Sequence, residues 1–266
     1  MPAFGLGTWH MGDDRAKRKE EIATLQLGLA LGAGLIDTAE MYGDGAAEEL
    51  VGEAIAGRHD EAFLVSKVLP QNASHKGVVA ACHRSLKRLK KDIIDLYLLH
   101  WPGNFPLTET VAGFEELREA GKIRHYGVSN FHLNEMQNVW KVPGGSIVAT
   151  NQVLYNLSRR NIEWDLLPWL RERKIPIMAY SPLEQARLLA NKQVLAFAKR
   201  SGMSPAQIAL AWLLSKDDVI VIPKTSSPDR LRENLKSLDQ QLSTEQLAEL
   251  DQLFPPPEGP SALDML

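Results

Sequence analysis

The chain lacks the features that mark secreted, membrane-spanning or cysteine-rich proteins. Its 266 residues include one cysteine, Cys82, which excludes an internal disulfide and a cysteine-based metal cluster. No apolar run reaches the roughly 18 residues that span a bilayer, and residues 1–6 lack the basic start and apolar core of a signal peptide. We therefore expect a protein of the reducing cytoplasm.

An excess of one charge sign is missing too. The 30 Lys and Arg residues nearly balance the 33 Asp and Glu residues, for a formal net charge of −3. So mild a balance predicts neither nucleic acid nor a membrane surface as a partner. No Gly-x-Gly-x-x-Gly follows a strand-like run, and no Walker loop occurs. The six histidines other than His100 show no ligand spacing, so no metal is expected: His10, His59, His75, His83, His125 and His132.

What the sequence does contain is a regular alternation of apolar runs and helical patterns. Eight runs rich in Val, Ile and Leu predict buried parallel strands at 4–9, 35–39, 63–68, 93–100, 123–130, 147–153, 176–181 and 219–224. Helical patterns between them include 21–33, 48–56, 78–91, 108–120, 133–140 and 165–173. Repeated βα units fit an open doubly wound sheet or a closed barrel. Eight equal units favour one (β/α)8 TIM barrel over residues 1–266.

The C-terminal third adds to this repeat. Two helical patterns, 191–201 and 205–214, separate the last two strands, so one extra helix is expected there. After the last barrel helix, predicted over 228–237, a capping sequence at Ser243 begins another helix that runs to residue 253. The proline-rich segment 254–260 predicts an extended tail over the surface near the barrel mouth.

Polar residues stand at or near the ends of seven predicted strands. They are Asp37, Lys67, His100, Asn130, Gln152, Tyr180 and Lys224. Active sites of such barrels lie at the C-terminal ends of the strands. One such residue could simply cap the following helix, but seven on seven strands indicate a functional site.

A tyrosine, Tyr42, follows the first of these strand ends by a few residues. A nearby ammonium group lowers the pKa of a phenol, and Lys67 is placed to do so for Tyr42. Asp37 would keep Lys67 charged and oriented, and His100 would position a carbonyl oxygen. This set predicts carbonyl reduction with Tyr42 as general acid. The simpler alternative is a buried Asp37–Lys67 ion pair beside a structural tyrosine.

A candidate phosphate site lies at residues 222–230. The segment combines Lys224, Arg230 and three hydroxyl residues with the start of a helix, which supplies backbone donors for an anion. Barrels of this type commonly hold phosphate after strands seven and eight. Alternatively, Ser227 before Pro228 caps an ordinary helix.

These motifs, taken in order, resemble the aldo-keto reductase superfamily over essentially the whole chain. They are Gly5-Leu6-Gly7-Thr8-Trp9, Asp37-Thr38-Ala39, Tyr42-Gly43, Ser66-Lys67, Leu99-His100-Trp101-Pro102, Gly127-Val128-Ser129-Asn130, Asn151-Gln152, Tyr180-Ser181-Pro182-Leu183 and Ile222-Pro223-Lys224. Within the superfamily the likeness is strongest to bacterial reductases of methylglyoxal and similar small aldehydes.

The resemblance implies a role for each motif residue. Asp37, Tyr42, Lys67 and His100 would form the catalytic tetrad, and Trp9 and Trp101 would line the substrate pocket beside Tyr42 and His100. The cofactor, NADPH, would contact three groups of residues: Ser129, Asn130, Gln152 and Tyr180 at the nicotinamide; Ser181 and Leu183 on the next loop; and Lys224, Thr225, Ser227 and Arg230 at the 2′-phosphate, with Glu233 and Asn234 at the adenine. No metal takes part, the substrate is a small carbonyl compound, and a monomer is expected.

The chain departs from the family pattern at its start and in two loops. Family members usually begin with a hairpin that plugs the bottom of the barrel, and this chain begins almost at the first strand. The connections after Leu183 and after His100 are short, which predicts an open pocket with loose substrate selection. Three alternatives stay open: a keto-sugar reductase of the 2,5-diketo-gluconate type, an aldolase that forms a Schiff base on Lys67, and a regulatory subunit with slow turnover.

Overall fold

Eight parallel strands follow one another in chain order around one sheet. The computed structural model describes the backbone of residues 1–266 and every side chain except that of His59. The strands are β1 (Gly5–Gly7), β2 (Leu35–Asp37), β3 (Phe63–Val68), β4 (Ile94–Leu99), β5 (Ile123–Ser129), β6 (Asn151–Leu154), β7 (Ile177–Tyr180) and β8 (Val219–Val221). Each strand pairs in parallel with the next.

The last strand returns to the first and closes the sheet. A parallel bridge joins Phe4 to Val221, and the Val221 N–H donates to the Ala3 carbonyl at 2.9 Å. The Gly7 N–H donates to the Pro223 carbonyl at 3.1 Å. The predicted (β/α)8 barrel is therefore confirmed, and the open doubly wound sheet is excluded.

Ten α-helices surround the barrel. They are α1 (Arg18–Ala30), α2 (Ala46–Ala54), α3 (His75–Leu89), α4 (Leu107–Glu119), α5 (Leu133–Lys141), α6 (Leu166–Glu172), α7 (Lys192–Ser201), α8 (Pro205–Leu214), α9 (Pro228–Leu235) and α10 (Thr244–Leu253). Both α7 and α8 lie between β7 and β8, and α10 follows α9, as the sequence predicts. Ser204 and Ser243 begin α8 and α10 with capping boxes, in which each serine side chain accepts from a backbone N–H three residues later.

Two buried clusters account for the apolar runs. The larger lies between the sheet and the helices, and the smaller lies inside the barrel, with Leu35, Val65, Leu98 and Met178 among its members. Side chains alternate along a strand, so the residue two positions further on points the same way. The interior rows of β2, β3, β4 and β7 therefore continue into polar residues at the C-terminal mouth of the barrel.

Several predicted boundaries are wrong by a few residues. The sixth strand begins at Asn151, because the chain around Ile147 forms a short 3-10 helix (Gly145–Ile147) after the left-handed Gly144. The eighth strand ends at Val221, just before Pro223, which has no N–H to donate. The first helix begins and ends three residues earlier than predicted, because Gly32 adopts φ +90° and stops it.

The chain ends lie at opposite faces of the barrel. Residues 255–266 have no regular secondary structure and run over the loops that follow β5 and β6, as predicted. Asn161 donates to the Ala262 carbonyl at 2.5 Å, and Arg159 lies 3.6 Å from Asp264. The described chain enters β1 without a preceding hairpin. Among the described residues, no helix combines the length and apolarity that crossing a bilayer requires.

Candidate active site

Asp37, Lys67, His100 and Tyr42 meet at the C-terminal mouth of the barrel. Asp37 lies two residues beyond Leu35, Lys67 two beyond Val65, and His100 two beyond Leu98, so all three follow interior rows. The Lys67 side chain is fully buried, and its three N–H donors have three acceptors. They are the Asp37 carboxylate at 2.8 Å, the Thr38 carbonyl at 2.8 Å and the Tyr42 hydroxyl at 3.2 Å.

The turn that carries Tyr42 depends on glycine. It is a 3-10 segment, Tyr42–Gly45, in which Gly43, Asp44 and Gly45 all have positive φ. A Cβ atom at Gly43 would lie 2.8 Å from the Asp13 carboxylate, and one at Gly45 would lie 2.6 Å from the Arg88 Nε. The positive φ favours glycine at both positions, and a Cβ atom there would also displace the facing side chain. The tight turn holds the phenol against Lys67.

The prediction that Lys67 lowers the pKa of Tyr42 is wrong for the site as it stands. Burial, with the Asp37 carboxylate as a second cause, raises the pKa of Tyr42 well above its usual value. The physical reason is that Asp37 neutralises the Lys67 charge at 2.8 Å, so the phenol gains little net positive field while losing water. Tyr42 is consequently a neutral phenol at neutral pH, which is the form that can donate a proton.

His100 is a neutral imidazole in this environment. Burial, with the Lys67 ammonium as a second cause, lowers the pKa of His100 to about 2. Its Nδ1 atom is buried and has no hydrogen-bond partner among the described residues. A neutral ring in this position can offer a hydrogen bond without carrying a charge.

Aromatic rings form one wall of the mouth. Trp9 contacts Tyr42 edge to face at 4.8 Å between ring centroids, Tyr42 lies 5.7 Å from His100, and His100 lies 4.9 Å from Trp101. Trp9 is 41% exposed, so the wall opens to solvent. All four residues predicted to line the pocket are therefore neighbours.

A second polar group lies across the mouth, at the ends of β5 and β7 and within β6. Asn130 adopts φ +58° and accepts a hydrogen bond from the Tyr180 hydroxyl at 2.9 Å. Its amide donates to the His100 carbonyl at 3.1 Å and to the Ser129 hydroxyl at 3.2 Å. Gln152 donates to the Asp37 carboxylate at 2.8 Å. These residues link the cofactor group expected from the sequence to the tetrad.

The loop after β7 is bound tightly to its neighbour. Ser181 has φ +47°, and Leu183 precedes a kinked 3-10 segment, Glu184–Ala190. The buried Glu184 carboxylate accepts from Asn156 at 2.8 Å and from Arg159 at 3.0 Å. The brief connection predicted here is thus an ordered turn with several left-handed residues.

The residues of the predicted anion site lie together at the start of α9. The Lys224 ammonium is exposed and donates to Ser226 at 3.1 Å, and the exposed Arg230 lies in the first turn of α9. The Ser227 side chain caps the helix, and Thr225 accepts from the Ser227 N–H at 3.1 Å. Of the two residues expected at the adenine, Glu233 is half-buried and Asn234 is buried. The helix-cap alternative therefore holds for Ser227, while the two cations stay available to a ligand.

Comparison with known proteins identifies the family. The model of the aldo/keto reductase family matches residues 3–254. The chain belongs to the aldo/keto reductase family. It is 50% identical to methylglyoxal reductase YeaE of Escherichia coli strain K12 over 271 residues, which cover 100% of this chain and 95% of that protein.

Solved structures agree with this assignment. An aldo/keto reductase from Klebsiella pneumoniae, crystallised with NADP and acetate, superposes with a TM-score of 0.98 at 48% identity, covering 100% of this chain and 96% of that one. A second structure of an aldo-keto reductase from Klebsiella pneumoniae, crystallised with NADPH, has the same TM-score and identity and covers 100% of this chain and 95% of that one. The resemblance read from the motifs is confirmed.

Sequence reasoning missed several buried charged residues of this aldo-keto reductase, among them Glu40, Glu48 and Glu184. Glu40 accepts from the Leu69 N–H at 2.8 Å, and Glu48 accepts from Arg88 Nε at 2.6 Å. Glu184 binds the neighbouring loop as described above. The only sequence signal was a glutamate on the apolar face of α2, at Glu48. Among the described residues, no group of His, Cys, Asp and Glu could hold a metal ion, and the His59 side chain lies outside them.

Proposed function

We propose that this aldo-keto reductase catalyses the NADPH-dependent reduction of aldehydes and ketones to alcohols, with small 2-oxoaldehydes such as methylglyoxal as substrates. The observation that carries the proposal is the hydrogen-bonded chain Asp37–Lys67–Tyr42 beside a neutral His100 at an open mouth. The relative named for methylglyoxal reduction and the neighbour crystallised with NADPH support this choice of substrate and cofactor.

NADPH fits the residues that this mouth presents. Tyr180 offers a half-buried ring beside Asn130, where a nicotinamide could stack and its carboxamide could bind Ser129, Asn130 and Gln152. At the far end, Lys224 and Arg230 have no carboxylate within 4.0 Å among the described residues, so both cations are available to a 2′-phosphate. When bound, the nicotinamide supplies the hydride that the carbonyl carbon accepts.

Tyr42 would supply the proton. Its hydroxyl donates to the carbonyl oxygen as negative charge develops there, and the Lys67 ammonium at 3.2 Å stabilises the phenolate that remains. Asp37 and the Thr38 carbonyl hold two of the three Lys67 donors, so the third points at Tyr42. Positioned donors of this kind reduce the barrier because they need no reorganisation during the reaction.

His100 would orient the substrate. The neutral imidazole can donate a hydrogen bond to the carbonyl oxygen and does not compete with Tyr42 as an acid, because its pKa lies near 2. Trp9 and Trp101 flank the same position. Aromatic rings lie beside the two donors, and we propose broad specificity for small carbonyl compounds. Action as a cytoplasmic monomer remains part of the proposal.

The test removes one oxygen atom from the site. Tyr42→Phe should reduce kcat for methylglyoxal by about 10² to 10⁴-fold, because the proton donor is lost. NADPH binding, measured by quenching of tryptophan fluorescence, should be unchanged. Tyr97→Phe is the matched control, since Tyr97 is a buried tyrosine of β4 that packs among the helix-facing core residues. Near-parental turnover in Tyr42→Phe would exclude the role given to Tyr42.

A substrate panel separates the alternatives. We expect NADPH oxidation with methylglyoxal and glyoxal to exceed that with a 2,5-diketo-gluconate-type keto-sugar acid. The reverse order would favour the keto-sugar reductase. Borohydride trapping with substrate should leave Lys67 unmodified, because its three donors are occupied. A covalent adduct on Lys67 would instead indicate an aldolase.

A further inference from the structure

A fully buried carboxylate lies behind the Tyr42–Lys67 pair. Glu48, in the first turn of α2, is 0% exposed. One carboxylate oxygen accepts from the Ser66 hydroxyl at 2.6 Å, and the other accepts from Arg88 Nε at 2.6 Å. This one side chain therefore ties α2 to β3 and to α3.

Each partner of Glu48 adjoins a segment that carries one member of the Tyr42–Lys67 pair. Ser66 precedes Lys67 in β3, and successive side chains of a strand point to opposite faces. The hydrogen bond from Ser66 to Glu48 on the helix side thus fixes the position of β3 along its own axis, and with it the position of the Lys67 side chain inside the barrel. Arg88 lies against Gly45, where a Cβ atom would be only 2.6 Å from its Cδ and Nε atoms. The Arg88 side chain therefore limits how far the turn that carries Tyr42 can move towards α3.

The turn needs such support. Three consecutive left-handed residues, Gly43 to Gly45, follow Tyr42, and the middle one, Asp44, is a non-glycine residue for which this conformation costs free energy unless the surroundings impose it. The Tyr42 N–H donates to the Ala39 carbonyl at 3.1 Å, and the Asp44 N–H donates to the Met41 carbonyl at 3.2 Å. The chain before Tyr42 is held to β3 as well, because the Glu40 N–H donates to the Lys67 carbonyl at 3.2 Å. Beyond Tyr42, the Glu48–Ser66 hydrogen bond joins α2 to β3, and the Glu48–Arg88 pair joins α2 to α3.

Stability alone does not account for the pair. A buried ion pair loses hydration and contributes little net stability compared with apolar residues of the same size. Arg88 moreover leaves its Nη2 atom buried without a partner among the described residues. Glu48 also favours the charged form of Lys67, whose pKa burial lowers. We infer that Glu48 and Arg88 are positioning residues, which set the Tyr42 hydroxyl and the Lys67 ammonium in the geometry that proton donation requires.

This inference rests on the proposed role of Tyr42, and the experiment keeps the two apart. Glu48→Gln retains the shape of the side chain and removes its charge. We expect kcat for methylglyoxal to fall about 10- to 100-fold, since displacement of a catalytic group by about 1 Å costs this much. The KM for methylglyoxal and the Kd for NADPH should stay within about 2-fold of the parent. The primary isotope effect on kcat with deuterated NADPH should increase, because the chemical step becomes slower than product release.

The matched control removes an ion pair from the same helix. Glu53 of α2 binds Arg18 of α1 at 2.9 Å on the surface, away from the Tyr42 turn. Glu53→Gln should keep the parental kcat and isotope effect. A purely structural role for Glu48 would lower the thermal midpoint in Glu48→Gln and leave its isotope effect equal to that of Glu53→Gln. That result would overturn the inference.

Two further variants guard against misfolding. Ser66→Ala removes one hydrogen bond and keeps the Glu48–Arg88 pair, and it should lower kcat about 3- to 10-fold with a raised isotope effect. Arg88→Lys should retain more activity than Arg88→Met, because it still offers a cation to Glu48.

If Glu48→Gln does not fold, parental kinetics in Ser66→Ala overturn the inference. Loss of turnover in Tyr42→Phe with normal kinetics in both Glu48→Gln and Ser66→Ala overturns this inference alone, whereas a wild-type chain without reductase activity overturns both.

Discussion

At the scale of single residues, burial decides the chemistry of the site. Tyr42 and His100 are both kept neutral, Tyr42 as a phenol and His100 as an imidazole, because charge on either would be costly away from water. Lys67 retains its partner Asp37 at 2.8 Å. The site therefore combines one ion pair with two neutral hydrogen-bond donors, an arrangement suited to donating a proton to a carbonyl oxygen.

The depressed pKa of His100 has a consequence for stability. The folded state keeps His100 unprotonated down to about pH 2, whereas the unfolded state binds a proton below about pH 6.5. The contribution of His100 to stability is thus fully present above pH 6.5 and is lost as the pH falls. Between about pH 6 and pH 4 the unfolding free energy of the parent should fall with decreasing pH. That of His100→Gln should fall less, and the two slopes should differ by about 1.4 kcal/mol per pH unit.

Urea denaturation across this pH range provides the measurement. His125→Gln is a matched control, since His125 is an exposed histidine on β5 and solvent reaches its ring in both states. Its slope should equal that of the parent. Equal slopes for His100→Gln and the parent would show that His100 is not held neutral in the folded protein.

At the scale of elements, the ends of strands and helices supply the functional groups. Four strands carry their interior rows into Asp37, Lys67, His100 and Tyr180, while the loop after β8 and the start of α9 carry the predicted phosphate ligands. The N-terminus of a helix carries partial positive charge, which adds to that of Arg230. Cofactor choice should therefore depend on α9 more than on any other helix.

Arg230→Ala tests this assignment. We expect the KM for NADPH to rise about 10-fold or more, because a charge-assisted hydrogen bond to phosphate is lost, and the KM for NADH to change less than about 2-fold. The measurement is steady-state kinetics with each cofactor at saturating methylglyoxal. Arg232→Ala, which removes an exposed arginine in the last turn of the same helix, should change neither value. Equal increases for both cofactors in Arg230→Ala would contradict a phosphate contact.

At the scale of the whole molecule, one buried arginine joins the C-terminal elements to the barrel. Arg160, in the loop after β6, binds Glu163 at 2.8 Å, Asp251 of α10 at 2.7 Å and the Phe254 carbonyl. Its guanidinium also lies 5.0 Å from the ring of Trp212 in α8. This residue fastens α10 and the start of the tail beside the mouth.

Removal of Arg160 should therefore destabilise the protein as a whole. Arg160→Met leaves the half-buried Glu163 carboxylate with the Tyr155 hydroxyl as a donor but without its cation, and we expect a loss of about 3 kcal/mol in unfolding free energy by urea denaturation. Arg171→Met is the control, because its ion pair with Asp218 is more exposed and should cost about 1 kcal/mol or less. Comparable losses of unfolding free energy in the two variants would mean that the ion pairs of Arg160 stabilise the protein no more than an ordinary surface ion pair.

The sequence by itself determined the barrel and the tetrad, because both depend on local periodicity. Apolar runs with side chains alternating along a strand, separated by helical patterns, specify eight βα units and place Asp37, Lys67 and His100 at one end. Tertiary structure alone decided the pKa of Tyr42, the Glu48–Arg88 contact across 40 residues and the hold of Arg160 on α10 across 91 residues. These properties arise from burial and from contacts between charged residues that are far apart in the sequence. No short stretch of sequence contains the information that would predict either one.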